Sequence, residues 1–195
     1  MNKLKINLIP HIIIASVVFI IFIFIGTRLP SEVAEDLISQ LGESLSPLAS
    51  MGSVPLIAVI FLNNALKCLF IILSGILLGL PPLLFISINA VTVGMLAAYL
   101  GSSASLAVII SALAPHGIIE IPLLVFSAAL GFAIGAEALK YIMRQRSSVK
   151  AYYVYCWKVY LKWMLALFLL AAVIEVLLTP LVVSLAGGMD SLIIP

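Results

Sequence analysis

Three ionisable side chains fall in the middle of stretches that otherwise read as membrane-spanning helix: Lys67, Glu120 and Glu175, with His116 one helical turn before Glu120. A charge at the bilayer centre costs at least about 2.5 kcal/mol, so such residues face a bundle interior and pair there. One lysine and two glutamates on separate spans can satisfy one another. Asparagines extend the set. Asn63 and Lys67 share a helix face at i, i+4, and Ser74, further along, returns to nearly the same angle, so a polar stripe with Asn64 beside it must face protein. Asn89 adds a further amide in the next span. For the asparagines the expected role is interhelical hydrogen bonding, a contribution of about 0.6 kcal/mol each.

The run Pro115-His116-Gly117-Ile118-Ile119-Glu120 admits three readings. Glu120 pairs with Lys67 while His116 caps an interrupted backbone, a structural knot; or the group binds or relays protons or an ion; or it holds a catalytic metal. The first is preferred. A catalytic zinc needs three protein ligands and a water, and the H-E-x-x-H spacing that supplies two of them is absent. His11 lies near the first membrane interface, far from a useful third position. No serine sits by a recognisable base, and there is no glycine-rich phosphate loop. The expectation is a protein without metal or cofactor and without enzymatic activity. Cys68, in an apolar span, and Cys156, in a basic segment, have no Cys or His at ligand spacing and are expected to be unpaired.

The elements that must position these residues follow from composition. The chain has 195 residues, 64% hydrophobic and 9% charged, with a mean hydropathy of +1.31. Soluble domains carry about 25% charge, so lipid must solvate most of this surface. A net charge of +2 with no basic run or aromatic-basic platform gives no support to a nucleic-acid partner. Spanning the hydrocarbon takes about 20 apolar residues, and five crossings are expected at 8–27, 54–79, 83–100, 117–140 and 162–186. The first is expected to be retained rather than cleaved, since Gly26-Thr27-Arg28 offers no small-x-small site.

Two further segments complete the fold. Over 31–53, Val33, Leu37, Leu41, Leu45 and Leu48 alternate with Glu32, Glu35, Asp36, Ser39, Gln40 and Glu43, an amphipathic helix at the interface that lies on lipid or packs on the bundle or a partner. The 105–140 stretch has no polar loop and is too long for one straight span; Pro115 and Gly117 predict a short helix over 105–114 that re-enters or breaks there, which is tolerated only where backbone is buried or lines a wet cavity. The chain thus reads as a single membrane domain over 1–195, an all-α polytopic membrane protein of about five transmembrane helices plus a short broken or re-entrant helix and an amphipathic interfacial one.

Lys3 and Lys5 place the N-terminus in the cytoplasm. The basic aromatic segment 141–162, with Tyr152, Tyr153, Tyr155, Trp157 and Tyr160 among its lysines, belongs there too, as an interfacial anchor or a surface for anionic lipid or a partner. The acidic 31–53 segment then lies outside, and the C-terminus is extracytoplasmic. Gly75 with Gly79, and Gly131 with Gly135, form two GxxxG motifs that let helices approach closely, within the chain or in a homodimer.

The run Phe61-Leu62-Asn63-Asn64-Ala65, then Gly75 and Gly79, then Asn89 with Gly94, then Pro115-His116-Gly117-Ile118-Ile119-Glu120, resembles the stage II sporulation protein M family over about 60–135. The resemblance leaves Lys67 and Glu175 unassigned. The resemblance implies a polytopic membrane protein. In endospore formers the family's namesake acts in a complex with cell-wall hydrolases during engulfment, and members also occur in organisms that neither sporulate nor have peptidoglycan. With no large extracellular domain, a chain similar in function would hold or position partners. The expectation is therefore a membrane scaffold or complex subunit of the cell membrane, in contact with the lipid bilayer and a membrane-protein partner. The alternative is a small transporter or proton/ion conductor built on the Lys/His/Glu cluster.

Overall fold

The structure is a computed structural model that describes residues 6–103 and 106–178, with the backbone alone at 41, 44–47, 49, 102–103 and 106–116. All regular structure among these residues is helical: α1 (Ile9–Gly26), α2 (Ser31–Ala49), α3 (Ser53–Leu73), α4 (Leu80–Ser103), α5 (Leu106–Ile142), α6 (Val149–Val159) and α7 (Leu165–Leu177). A 3-10 turn, Ser74–Ile76, extends α3, and a π-helical turn, Tyr160–Met164, joins α6 to α7 in one rod. Five helical stretches are long and apolar enough to cross a membrane: Ile9–Gly26, Ser53–Ile76, Leu80–Gly101, Gly117–Ile142 and Val149–Leu177.

The α5 span is the axis of the bundle. Of its apolar window 56% is buried in the protein, against 17–28% for the other four, which leave most of their surface to lipid. Its small residues explain the difference: Ser127, Ala128, Ala129 and Ala133 are completely buried and let α1, α3, α4 and α7 crowd round it. Without a hydrophobic driving force between helices in lipid, such close backbone contact is the main source of association.

Both predicted glycine motifs are used inside the chain, against each other. A methyl group added at Gly75 would collide with the backbone of Gly131, and one at Gly135 would lie 2.5 Å from the Gly79 nitrogen. Gly79 (φ +77°) also follows Leu78 (φ 57°) in the left-handed turn that reverses the chain into α4, a conformation glycine adopts without steric penalty. A second seam joins α1 to α4, where Gly26 abuts the Val91 carbonyl and Gly94 abuts the Ile23 carbonyl.

Two expectations need correction. First, α5 is one helix of 37 residues that runs through Pro115, His116 and Gly117, so the described part of the expected re-entrant segment, 106–114, is continuous with the α5 span. A proline in a helix removes one backbone hydrogen bond, whereas opening the chain at membrane depth would strand several polar groups, and the continuous helix is the smaller loss. Second, the basic aromatic segment 141–162 is not a loop. Only 143–148 connect the helices, and the last crossing begins at Val149 rather than near 162. Two of its tyrosines hand their hydroxyls to the neighbouring helix: the half-buried Tyr153 donates from Oη to the Leu73 carbonyl at 2.7 Å, and the buried Tyr160 from Oη to the Ala65 carbonyl at 2.8 Å. An amphipathic ring thus anchors to protein as readily as to headgroups. The expected crossing over 179–186, with Pro180, lies outside the described residues.

The amphipathic helix over 31–49 forms as expected and packs on the bundle. Ala34 is buried, and Leu37 and Ile38 meet Thr92, Met95 and Leu96 of α4, while Glu32, Glu35 and Asp36 are exposed.

Candidate functional site

Half-way along α3 its inner face reads Asn64, Cys68, Ile71 and Gly75, positions that repeat at i+4, i+7 and i+11 and turn towards α5. Asn64 Nδ2 donates to Glu120 Oε1 of α5 at 2.6 Å, the polar tie between the two helices at this depth. Around that tie lies a cavity of about 60 Å³, lined by Asn64, Lys67, Asn89, Glu120, Phe168 and neighbouring apolar side chains. Asn89 donates to the Phe85 carbonyl one turn back at 2.7 Å, which fixes its rotamer and leaves its amide oxygen as an acceptor.

The cavity brings together Asn64, Lys67, Asn89 and Glu120 from three helices. Other expected members stand elsewhere. Asn63 is exposed on the outer edge of α3, one residue and therefore about 100° from Asn64, and faces away from the bundle. Glu175 of α7 is half-buried with Oε2 shut off from solvent, two turns beyond Phe168, and does not line the cavity. His116 lies on α5 one turn before Glu120, and its side chain falls outside the described residues. Among the described residues no three His, Cys, Asp or Glu side chains are grouped closely enough to hold a metal ion.

Lys67 and Glu120 face the same space without forming the expected pair. No ion pair within 4.0 Å joins them, and Lys67 makes no hydrogen bond or ion pair with any described residue. Asn64 stands on the face that points at α5, whereas Lys67 belongs to the edge row with exposed Asn63 and Phe70, so it is the short amide that meets the carboxylate. Glu120 itself is only 7% exposed.

A second buried carboxylate was not anticipated from sequence. Glu137 of α5, 5% exposed, accepts from Lys140 Nζ at 2.6 Å and from the Ser148 backbone N–H at 2.7 Å. Ser148 is the N-cap residue just before α6, so Glu137 binds the start of a helix eleven residues on and places an acidic charge at its N-terminus, where the backbone N–H groups need an acceptor. The i, i+3 spacing of Glu137 and Lys140 was the signal available for half of this arrangement.

With the fold in place, comparison with known proteins is decisive at the level of family. A family model described as Stage II sporulation protein M matches residues 12–180. The chain belongs to that family. No curated protein and no solved structure matches it. In this stage II sporulation protein M family member the match runs well beyond the 60–135 motifs on both sides, so α1, the amphipathic α2 and the last span belong to the family pattern along with α3, α4 and α5.

Proposed function

We propose that this family member is a non-enzymatic subunit that positions a partner protein at the membrane, with α2 as its docking element. The observation that carries this reading is the division of labour on α2. One face holds Ala34, Leu37 and Ile38 against α4, and the other presents Glu32, Glu35 and Asp36 outward, uncovered by any described part of the chain. A helix built only to lie on anionic lipid would carry lysine and arginine on that face. The complementary partner is a basic surface of a membrane protein. Combined reversal of Glu32, Glu35 and Asp36 to lysine should abolish co-purification of the native partner while leaving the unfolding temperature unchanged, and raising salt from 0.15 to 0.5 M should weaken the wild-type complex in the same direction. Recovery of the same partner in undiminished amount from the reversed variant would refute the reading.

The reading places the N-terminus in the cytoplasm, α2 outside and the C-terminus outside, following the lysine and arginine distribution. Both native cysteines are buried. A membrane-impermeant maleimide should therefore label Glu35→Cys in intact cells, and protection of that position until lysis would reverse the topology.

A second reading, transport or proton/ion conduction, is favoured by the cavity shared by Lys67 and Glu120 within the membrane-spanning helices, since transporters place their polar sites near the midplane. Reconstituted vesicles should then show a flux that disappears with Glu120→Gln; absence of such a flux would remove it.

A further inference from the structure

We infer that the apolar cavity at the basic end of the bundle seats the upper part of one acyl chain of an anionic phospholipid, with the lipid phosphate on Arg144, Arg146 and Lys150. The inference does not depend on which side of the membrane that end faces, nor on whether α2 docks a partner.

Span ends meet there. Ile76 and Leu80 flank the turn from α3 to α4, and Ile142 and Val149 flank the connection from α5 to α6. Between them lies a cavity of about 290 Å³ lined by Ile76, Ala138, Tyr141, Ile142 and Val149. Apart from the tyrosine hydroxyl these side chains are apolar, and Tyr141 and Ile142 are largely exposed. An opening at the ends of spans lies where hydrocarbon gives way to headgroups. Its volume is close to the ~300 Å³ at which small-molecule sites begin, and its apolar wall suits a hydrocarbon chain rather than water.

Charge selects the headgroup. Arg144 follows Ile142 by two residues, Lys150 is next to Val149, and Arg146 lies between. All three are exposed, and none makes an ion pair or side-chain hydrogen bond with a described residue. The Glu137 carboxylate does not offset them, because it is buried and engaged by Lys140 and the Ser148 N–H. Cations beside hydrocarbon at a membrane surface attract anionic lipid, and a guanidinium matches a phosphate through two parallel hydrogen bonds.

A bias of positive charge to one side of a membrane sets topology without any binding site. Arg144 shows more than that bias. At the end of α5 the Gln145 N–H donates to the Lys140 carbonyl at 2.9 Å and the Arg144 N–H to the Tyr141 carbonyl at 3.0 Å, the pattern whose left-handed residue is usually glycine. Here that residue is an arginine, with φ 57°. An arginine in place of Gln145 would serve topology equally well without a left-handed backbone, so the strain points to a need for the guanidinium at 144. This turn closes one end of the connection and the Glu137–Ser148 bond closes the other, so a short, fixed loop presents the three cations.

The test uses the full chain in nanodiscs of phosphatidylcholine with increasing phosphatidylglycerol, unfolding being followed by tryptophan fluorescence. Phosphatidylglycerol should raise the unfolding temperature saturably, and native mass spectrometry in detergent should show one retained molecule per chain. Arg144→Gly should raise the unfolding temperature in pure phosphatidylcholine by about 2 °C through relief of strain, yet raise the half-saturating phosphatidylglycerol fraction about fivefold, the effect of one charge at a membrane surface. A fall in stability with an unchanged lipid response would mean that the arginine serves the fold alone, and would overturn the proposal. Ala138→Leu fills the cavity, leaves every charge in place and should abolish retention. Should that variant not fold, Ile142→Trp, at an exposed position of the same wall, reads the same property. Undiminished retention by the folded cavity variant would make this end a diffuse electrostatic surface and overturn the proposal. So would equal stabilisation by glycerol phosphate, which carries the anion without the chains, or the absence of a saturable response in the wild-type chain.

Discussion

The helices α3 and α5 meet twice, in opposite ways. Where the 3-10 extension of α3 meets α5, at Gly75, Gly131 and Gly135, the backbones are close enough that no Cβ fits between them. Around Asn64 and Glu120 the gap is wide enough for an amide and a carboxylate to span it, with a cavity of about 60 Å³ alongside. The same helix pair is dry and tight at one level and polar and open at another. The glycine seam supplies the packing that lets the second level exist, because in lipid a polar gap by itself gives little net association. A site needs a rigid frame, and here the frame and the site share the same two rods.

The comparison breaks most sharply at the seam. Gly131→Val should abolish a monodisperse, folded protein, because the new Cβ would sit 2.8 Å from the Ile71 carbonyl oxygen and the methyls have nowhere to go; size-exclusion behaviour in detergent checks it. Next in size is Glu120→Leu, which leaves Lys67 facing the cavity without an acidic neighbour across it, at about 3 kcal/mol of stability. The Lys67→Leu, Glu120→Leu double variant should recover part of that loss, and strict additivity in a thermal double-mutant cycle would mean the two charges do not sense each other across the cavity. Smaller again is Tyr160→Phe, which deletes the hydrogen bond to the Ala65 carbonyl at about 1 kcal/mol, read as a modest fall in unfolding temperature. Smallest is Asn63→Leu. Because Asn63 faces away from the bundle, the change should leave stability unaltered or slightly raised, and a loss comparable to that of Asn64→Leu would place Asn63 in the polar core after all.

Much of the architecture was readable in advance because the bilayer imposes one strong rule. Apolar runs must cross as helices, so Ile9–Gly26, Ser53–Ile76, Leu80–Gly101 and Gly117–Ile142 lie close to the expected spans. The recurrence of Val33, Leu37, Leu41, Leu45 and Leu48 among Glu32, Glu35 and Asp36 likewise announced α2. The rule is weaker where a side chain is both apolar and polar. Tyr152, Tyr153 and Tyr160 read as an interfacial anchor, and the structure adds what the sequence did not show, that Tyr153 and Tyr160 bond to carbonyls of α3. Pro115 and Gly117 read as a break because local propensity disfavours helix there, and the membrane's demand for paired backbone overrides that preference.

Sequence alone determined that this chain crosses a membrane several times, that close-packing glycines and buried ionisable groups lie on those crossings, and that the motifs are those of the stage II sporulation protein M family. These are properties of composition and spacing, which one chain carries without reference to any other part of itself. Only the tertiary structure decided which polar groups share a space: that Asn64 rather than Lys67 holds Glu120, that Asn63 points away from it, that Glu175 lies beyond the cavity, and that the two glycine motifs meet each other. A helix shows its neighbours a face, and a shift of one residue turns that face by about 100°; which face meets which helix depends on packing among all the spans at once, and no single stretch of sequence contains that information.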